Sequence, residues 1–313
     1  MGERENWTEA DIPDQSGRVA FVTGANSGLG FEAARALAQH GADVIMGCRD
    51  AARAADAKSR IDALGPSGSV EVVGLDLADL DSVAGAAKQF LEAHEHLDLL
   101  VNNAGLMASP QGTTAQGFET QIGVNHLGHF ALTARLLPAL LATPGSRVVT
   151  VSSQGHRPGR IQFDDLHSRR KYSPWRAYFQ SKLANLLFTL ELQRRLAAAG
   201  APTISVAAHP GAAGTHLGHE NPGGVLNTIA TWLRPVLVRL AQSPEMGALP
   251  ILRAATDPAV RGGDYYGPRG LVEQSGYPVK VRPSKRARDE ALAARLWDVS
   301  IAETGADYSA INA

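Results

Sequence analysis

Cysteine is almost absent from this 313-residue chain: Cys48 stands alone. A lone thiol cannot close an intrachain disulfide, and such usage fits a reducing compartment. The ten histidines show no His-Glu-x-x-His run and have no cysteine partners, so no metal site is legible. Charge of one sign is also lacking. The 30 basic and 31 acidic residues leave a formal net charge of -1, so no global field points to nucleic acid or to an anionic membrane. The basic stretch 280–288 is diluted by Pro283 and followed by Asp289 and Glu290, as in a solvated loop. Long apolar runs are missing too. Residues 224–241, the longest apolar region, are interrupted by Asn227, Arg234, Pro235 and Arg239, which excludes a spanning helix. Residues 1–17 read as a polar leader without signal peptide or anchor, and Asn6 stands where N-myristoylation wants Ser or Thr. Together these absences predict a cytoplasmic protein with no transmembrane anchor.

What the chain does have is alternation. Short apolar runs at 19–23, 43–47, 70–75, 97–102, 147–151 and 204–208 predict strands. Between them, 28–39, 51–64, 80–93, 118–141 and 174–199 predict helices. Strands apolar almost throughout and separated by helices mean a parallel sheet covered on both faces. The expected fold class is therefore α/β, a doubly wound parallel sheet of the Rossmann type. No Pro/Gly-rich linker divides the chain, so residues 1–313 read as one domain. The alternation fades beyond Gly211, and 211–313 is expected to form a substrate-side lobe ending in a helix. Within it, 223–241 places Leu226, Ile229, Trp232, Leu233, Val236, Leu237 and Leu240 near helical spacing. That pattern suits a substrate lid, a plainly packed helix or an interfacial membrane contact.

Directly after the first strand comes Thr23-Gly24-Ala25-Asn26-Ser27-Gly28-Leu29-Gly30, and then a helix. Glycines allow a tight turn and a close approach of backbone N–H groups to a pyrophosphate, and the helix N-terminus adds a favourable dipole. Gly24, Asn26, Ser27, Gly28, Leu29 and Gly30 are thus candidate dinucleotide contacts, against the plainer alternative of an ordinary strand–helix turn. The second strand ends Met46-Gly47-Cys48-Arg49. An acid at this strand end would bind the ribose hydroxyls of NAD(H), whereas an Arg nearby suits the 2′-phosphate of NADP(H). Cys48 occupies the acid's place and Arg49 follows, which favours NADP(H) over NAD(H); Asp50 suits a helix cap. Tyr178 and Lys182 lie four residues apart in a helical stretch, hence on one face. A phenol titrates near 10, and a nearby ammonium would lower that value, letting Tyr178 exchange a proton with a substrate oxygen. Taken alone, that spacing is also common on solvated helix faces.

The glycine turn, Asn102-Asn103-Ala104-Gly105, Val124-Asn125-His126, Val148-Val149-Thr150-Val151-Ser152-Ser153, Tyr178-Phe179-Gln180-Ser181-Lys182 and His209-Pro210-Gly211 follow one another in order. In that order they resemble the short-chain dehydrogenase/reductase family, over about 18–300. Within it the chain looks most like the retinol dehydrogenase and protochlorophyllide reductase-like branch, through Gly47-Cys48-Arg49-Asp50, Ser181-Lys182-Leu183-Ala184-Asn185 and Ala294-Arg295-Leu296-Trp297-Asp298-Val299-Ser300. The resemblance implies that Ser153 holds the substrate oxygen and that Asn125 holds a water linking Lys182 to solvent. It places Asp76 and Leu77 by the adenine, Asn103, Ala104 and Gly105 along the cofactor, and Pro210, Gly211 and Thr215 by the nicotinamide. The implied activity is NADP(H)-dependent interconversion of a carbonyl and an alcohol on a lipophilic small molecule, retinal-like or another aldehyde or ketone. A homodimer through the two long helices is a family habit. Departures are an N-terminal anchor and interaction modules that some relatives carry, and a substrate-side cysteine that protochlorophyllide reduction uses; Cys48 sits at the adenosine side. The competing readings are an NADP(H)-binding sensor or scaffold without turnover, and a C=C reductase.

Overall fold

A computed structural model describes residues 6–212 and 242–311. Residues 1–5, Thr215 and the whole of 223–241 therefore lie outside the described residues. Eight strands form one sheet in the order β3-β2-β1-β4-β5-β6-β7-β8. They are β1 (Val19–Thr23), β2 (Asp43–Cys48), β3 (Ser69–Gly74), β4 (Leu99–Asn102), β5 (Arg147–Val151), β6 (Ile204–Ala208), β7 (Tyr265–Pro268) and β8 (Pro278–Lys280). β1 to β7 pair in parallel and β8 is antiparallel to β7. This is the Rossmann-type architecture that the alternation predicts.

Period-two alternation explains why the sheet has a core on each face. From β1, Ala20 and Val22 enter one apolar cluster with α1 (Gly28–Gln39) and α2 (Ala51–Asp62). Val19 and Phe21 enter the other, with α3 (Leu80–Ala93) and α4 (Gly128–Leu141). α5 (Pro174–Ala198) packs on the second face, where Phe130, Phe188, Trp297 and Tyr308 meet ring against ring. Fully burying each such aromatic contributes about 1.5–3 kcal/mol.

Two differences from the sequence reading matter. The helix expected at 118–141 is interrupted: a turn at Thr120–Ile122 passes into a π-helical turn, Gly123–Leu127, before α4 begins. A π turn inserts one residue into the α ladder, and such insertions gather at functional sites. The segment expected to form a substrate-side lobe instead returns in large part to the sheet. β7 and β8 extend it, α6 (Pro244–Thr256) packs beside α1 in the first core, and α7 (Glu290–Thr304) lies along α5. Among the described residues, no helix is long and apolar enough to cross a membrane. The strand order reverses between β1 and β4, and a doubly wound sheet opens its crevice at the carboxyl ends of such a pair.

Candidate active site

Thr23 ends β1, and its hydroxyl gathers the crevice floor. It accepts the backbone N–H groups of Asn103 and Ala104, each at 2.9 Å, and lies 2.8 Å from His129 Nε2. Asn103 Nδ2 donates back to Thr23 O at 2.8 Å, so Asn103 ties the end of β4 to the end of β1. The glycine turn is pressed onto that junction. Gly24 has φ +65°, and a Cβ on it would lie 2.9 Å from Ala104 Cβ. A Cβ on Gly30 would lie 2.4 Å from both Asn103 Nδ2 and Gly24 O. Only glycine fits either position.

Above this floor is a cavity of about 710 Å³. The structure brings to it Gly24, Asn26, Ser27, Gly28, Leu29, Gly30, Arg49, Asp76, Leu77, Asn103, Ala104 and Gly105, all singled out in the sequence. Gly47, Asp50, Arg53, Leu75, Leu106 and Val124 also line it, and the sequence reading did not assign them there. Arg53 was the one within reach, since it follows Arg49 by four. At this end Cys48 does not line the cavity and is buried in the core. Burial pushes that thiol up to about 11, so a neutral group holds the position an acid would take. Asp50 caps α2 through Arg53 N at 3.0 Å and pairs with the Arg53 guanidinium at 3.4 Å. Arg49 is exposed and has no ion pair with a described residue. Asp76 does not cap α3: its Oδ1 accepts Ala78 N at 2.9 Å, and Asp79 is the cap.

The chemical end lies where β5 meets α5. Ser152 faces the helix, donating to Lys182 O at 2.8 Å, whereas Ser153 caps the 3-10 turn Gln154–His156 on the side of the Tyr178 phenol. Lys182 Nζ donates to Val151 O at 3.2 Å and stands 5.9 Å from the Tyr178 ring centre. A Cβ on cavity-lining Gly105 would lie 3.3 Å from Lys182 Nζ and 3.1 Å from Asn125 Oδ1, so both groups abut the cavity wall. Burial pushes the Lys182 ammonium down to about 8. Burial also pushes the Tyr178 phenol above its ordinary value, opposed by Ser153. The expected lowering of this phenol by the ammonium is not what the fold shows: withdrawal from water dominates, and Ser153 is the group that opposes it.

Asn125, within the π turn, is buried and bonded to two neighbouring elements. Its Oδ1 accepts Leu106 N at 2.7 Å, and its Nδ2 donates to Leu106 O and Ser181 Oγ, each at 2.9 Å. Both amide hydrogens are engaged, and the side chain fastens the loop after β4 to α5. Ser181, which carries that link, was missed in the sequence because it reads as a filler between Tyr178 and Lys182. Pro210 and Gly211 follow β6, where Gln242 Nε2 donates to Pro210 O at 2.6 Å. Trp175, half exposed, sits edge-on to Tyr178 at 6.2 Å between ring centres.

With that geometry in place, the comparisons are specific. The family model described as short chain dehydrogenase matches residues 18–223. Polyprenol dehydrogenase of Mus musculus is 44% identical over 299 residues, spanning 94% of this chain and 86% of that protein. Retinol dehydrogenase 11 of Mus musculus is 43% identical over 288 residues, spanning 91% of this chain and 85% of that protein. A crystal structure of a Mycobacterium paratuberculosis protein superposes with a TM-score of 0.79 at 44% identity, covering 97% of this chain and 99% of that one. The active-site complex of Pseudomonas aeruginosa RhlG with NADP gives a TM-score of 0.62 at 25% identity, covering 80% and 94%.

Proposed function

The chain belongs to the short-chain dehydrogenase family, and from that premise we propose that it is an NADP(H)-dependent enzyme interconverting a carbonyl and an alcohol on a lipophilic substrate. The observation that carries the reading is Ser153 and Tyr178 gathered beside a buried Lys182 whose Nζ abuts Gly105, a wall residue of the glycine-floored cavity. The cavity fits a dinucleotide: side chains are excluded where the turn crosses Ala104 and Asn103, and about 710 Å³ stays open above it. In this reading Gly24, Asn26, Ser27, Gly28, Leu29 and Gly30 hold the pyrophosphate, and Asp76 and Leu77 flank the adenine. Asn103, Ala104 and Gly105 line the path to the nicotinamide, Lys182 binds its ribose, and Pro210 and Gly211 lie beside the ring. Thr215, outside the described residues, completes that set in the sequence reading. The bound cofactor supplies or accepts the hydride.

The chain's own residues handle the proton. Ser153 holds the substrate oxygen against Tyr178. A phenol kept protonated by burial is ready to donate, so Tyr178 is the general acid in the reducing direction. Lys182, an ammonium held close at hand, stabilises the phenolate left behind. Asn125 acts as a positioning residue through Leu106 and Ser181.

NADP(H) is favoured by Arg49 and Arg53 at the adenosine end, where Cys48 replaces an acid, and by the NADP complex of the RhlG relative. Arg49→Asp should weaken NADPH binding by about 10- to 100-fold, the ~1.5–3 kcal/mol of a charge-assisted contact, while leaving NADH binding within a few fold. Fluorescence titration with both cofactors checks this; equal losses for both would remove Arg49 from phosphate recognition.

The lipophilic substrate is supported by exposed Trp175 and Met107 near the site and by relatives named for polyprenol and retinol. Across a series of aldehydes of growing chain length, kcat/KM with NADPH should rise with apolar size. Trp175→Ala should flatten that rise by about tenfold at the long end, roughly one modest apolar contact. A series that is flat in the wild-type protein argues for a small polar substrate instead.

A further inference from the structure

We propose that Glu273 is a positioning residue that locks the loop between β7 and β8 onto the turn carrying Ser153, and so holds Ser153 against Tyr178. The inference rests on the assignment of those two residues above. In the sequence, Glu273 is one charge in the stretch 269–277, which also holds Gly270 and Gly276, with nothing to distinguish it from a solvated carboxylate. In the fold its carboxylate accepts three hydrogen bonds. Two reach across 116 and 119 positions of sequence: Arg157 Nη2 at 2.9 Å, and Gln154 Nε2. The third comes from His209 Nε2 at 3.0 Å.

Gln154 and Arg157 lie at the two ends of the 3-10 turn that Ser153 caps, and Arg157 Nε donates to Gln154 Oε1 at 2.6 Å, closing the ring. Ser153 Oγ accepts Gly155 N at 3.1 Å inside that same turn. One carboxylate therefore grips the backbone segment that orients the Ser153 hydroxyl. His209, fully buried at the end of β6, accepts Gly211 N on Nδ1 at 3.2 Å, which assigns its proton to Nε2, facing Glu273. The loop also accepts Ala212 N on Gln274 O at 2.8 Å, so the same element braces the chain beyond Gly211.

The backbone supports this reading independently. Val272 and Glu273 both have positive φ, 53° and 57°, consecutive non-glycine residues in the left-handed region, and Val is β-branched. Leu271 and Val272 are 90% and 70% exposed, so burial of the loop tip does not compensate for that conformation. The anchor is the carboxylate one residue on, and strain of this kind persists where surrounding bonds over-determine it.

The test has one arm independent of turnover and one that depends on it. In protein labelled with 3-fluorotyrosine, the Tyr178 signal among six tyrosines is identified by its loss in Tyr178→Phe. Glu273→Gln and Glu273→Ala should move or broaden that signal, in the direction that Ser153→Ala moves it. A signal that stays at its wild-type position in both, while Ser153→Ala shifts it, overturns the proposal. In steady-state kinetics Glu273→Ala should lower kcat by about 10- to 100-fold, the cost of misplacing a reacting group by about 1 Å, with the NADPH Kd changed less than about twofold. Glu273→Gln should recover part of kcat, and Arg157→Ala should add little to Glu273→Ala. Equal losses of kcat, NADPH affinity and melting temperature would make Glu273 a general structural residue and overturn the positioning role. If the wild-type protein turns over no carbonyl but the fluorine signal moves as stated, the coupling stands and the proposed function fails.

Discussion

Tyr178→Phe is expected to lower kcat for carbonyl reduction by about 10²–10⁴-fold, the range a positioned general acid contributes, and to leave the NADPH Kd within a few fold. The substitution removes one hydroxyl and keeps the ring. That ring is 8% exposed and packs against Trp175 and Phe179, so the variant should retain its fold and melting temperature. Ser153 keeps its bond from Gly155 N and can still hold a substrate oxygen, but no group is left to protonate it. Because the phenol is held above its ordinary value, wild-type reduction should show no loss of this acid on its alkaline side at mildly alkaline pH. Stopped-flow measurement of NADPH consumption, paired with fluorescence titration, separates the two quantities. A variant that turns over at the wild-type rate would remove Tyr178 from the chemistry.

Acid should unfold this protein over a narrow span, and the cause is buried imidazole. Burial pushes His126 down to about 3, His129 to about 4 and His156 to about 4, against an ordinary value of 6.5. The unfolded chain binds a proton at each site from about pH 6.5 downward, while the folded chain binds none until about pH 4. The unfolded state therefore holds more protons across that window, and stability, fully present above pH 6.5, is lost as pH falls through it. Each group contributes at most about 1.4 kcal/mol per pH unit, and three together rival the whole stability of a domain. Glu119, raised by burial, works in the opposite sense as a single group. The melting temperature should be level from pH 7.5 to 6.5 and then drop by about 10 °C or more by pH 4.5. His126 faces Ser300 Oγ at 2.9 Å, so His126→Gln should keep that contact and flatten the slope. A level melting temperature down to pH 4.5 would mean that the imidazoles protonate without leaving the folded state.

The sequence was most informative where structure is local. β1, α1, α3, β5 and β6 begin and end where their apolar runs and glycine or acidic caps place them. The glycine turn, Ser152-Ser153 and the Tyr178–Lys182 pair are contiguous or one helical turn apart, so their spacing alone brings them together. Legibility failed in three physical situations. β7 is four residues long and contains Gly267 and Pro268, and β8 is three residues opening on Pro278, so neither shows a strand's period. The π turn at Asn125 shifts the helical phase by one residue, which a 3.6-residue pattern does not register. Glu273 meets its partners across 64 to 119 positions, and nothing about an isolated glutamate in a loop reports such a contact.

The central claim is hydride transfer between NADP(H) and a carbonyl, and isotopic labelling tests it most directly. The protein is incubated with NADPH carrying deuterium at the transferable position of the nicotinamide C4 and with the best aldehyde of the apolar series. The product is then analysed by mass spectrometry. The account predicts one deuterium in the alcohol, bonded to the former carbonyl carbon, for each NADPH consumed, and about 10²–10⁴-fold less labelled alcohol with Tyr178→Phe at equal times. NADPH that binds yet leaves the aldehyde unreduced across the series, or an alcohol formed without the label, would contradict it.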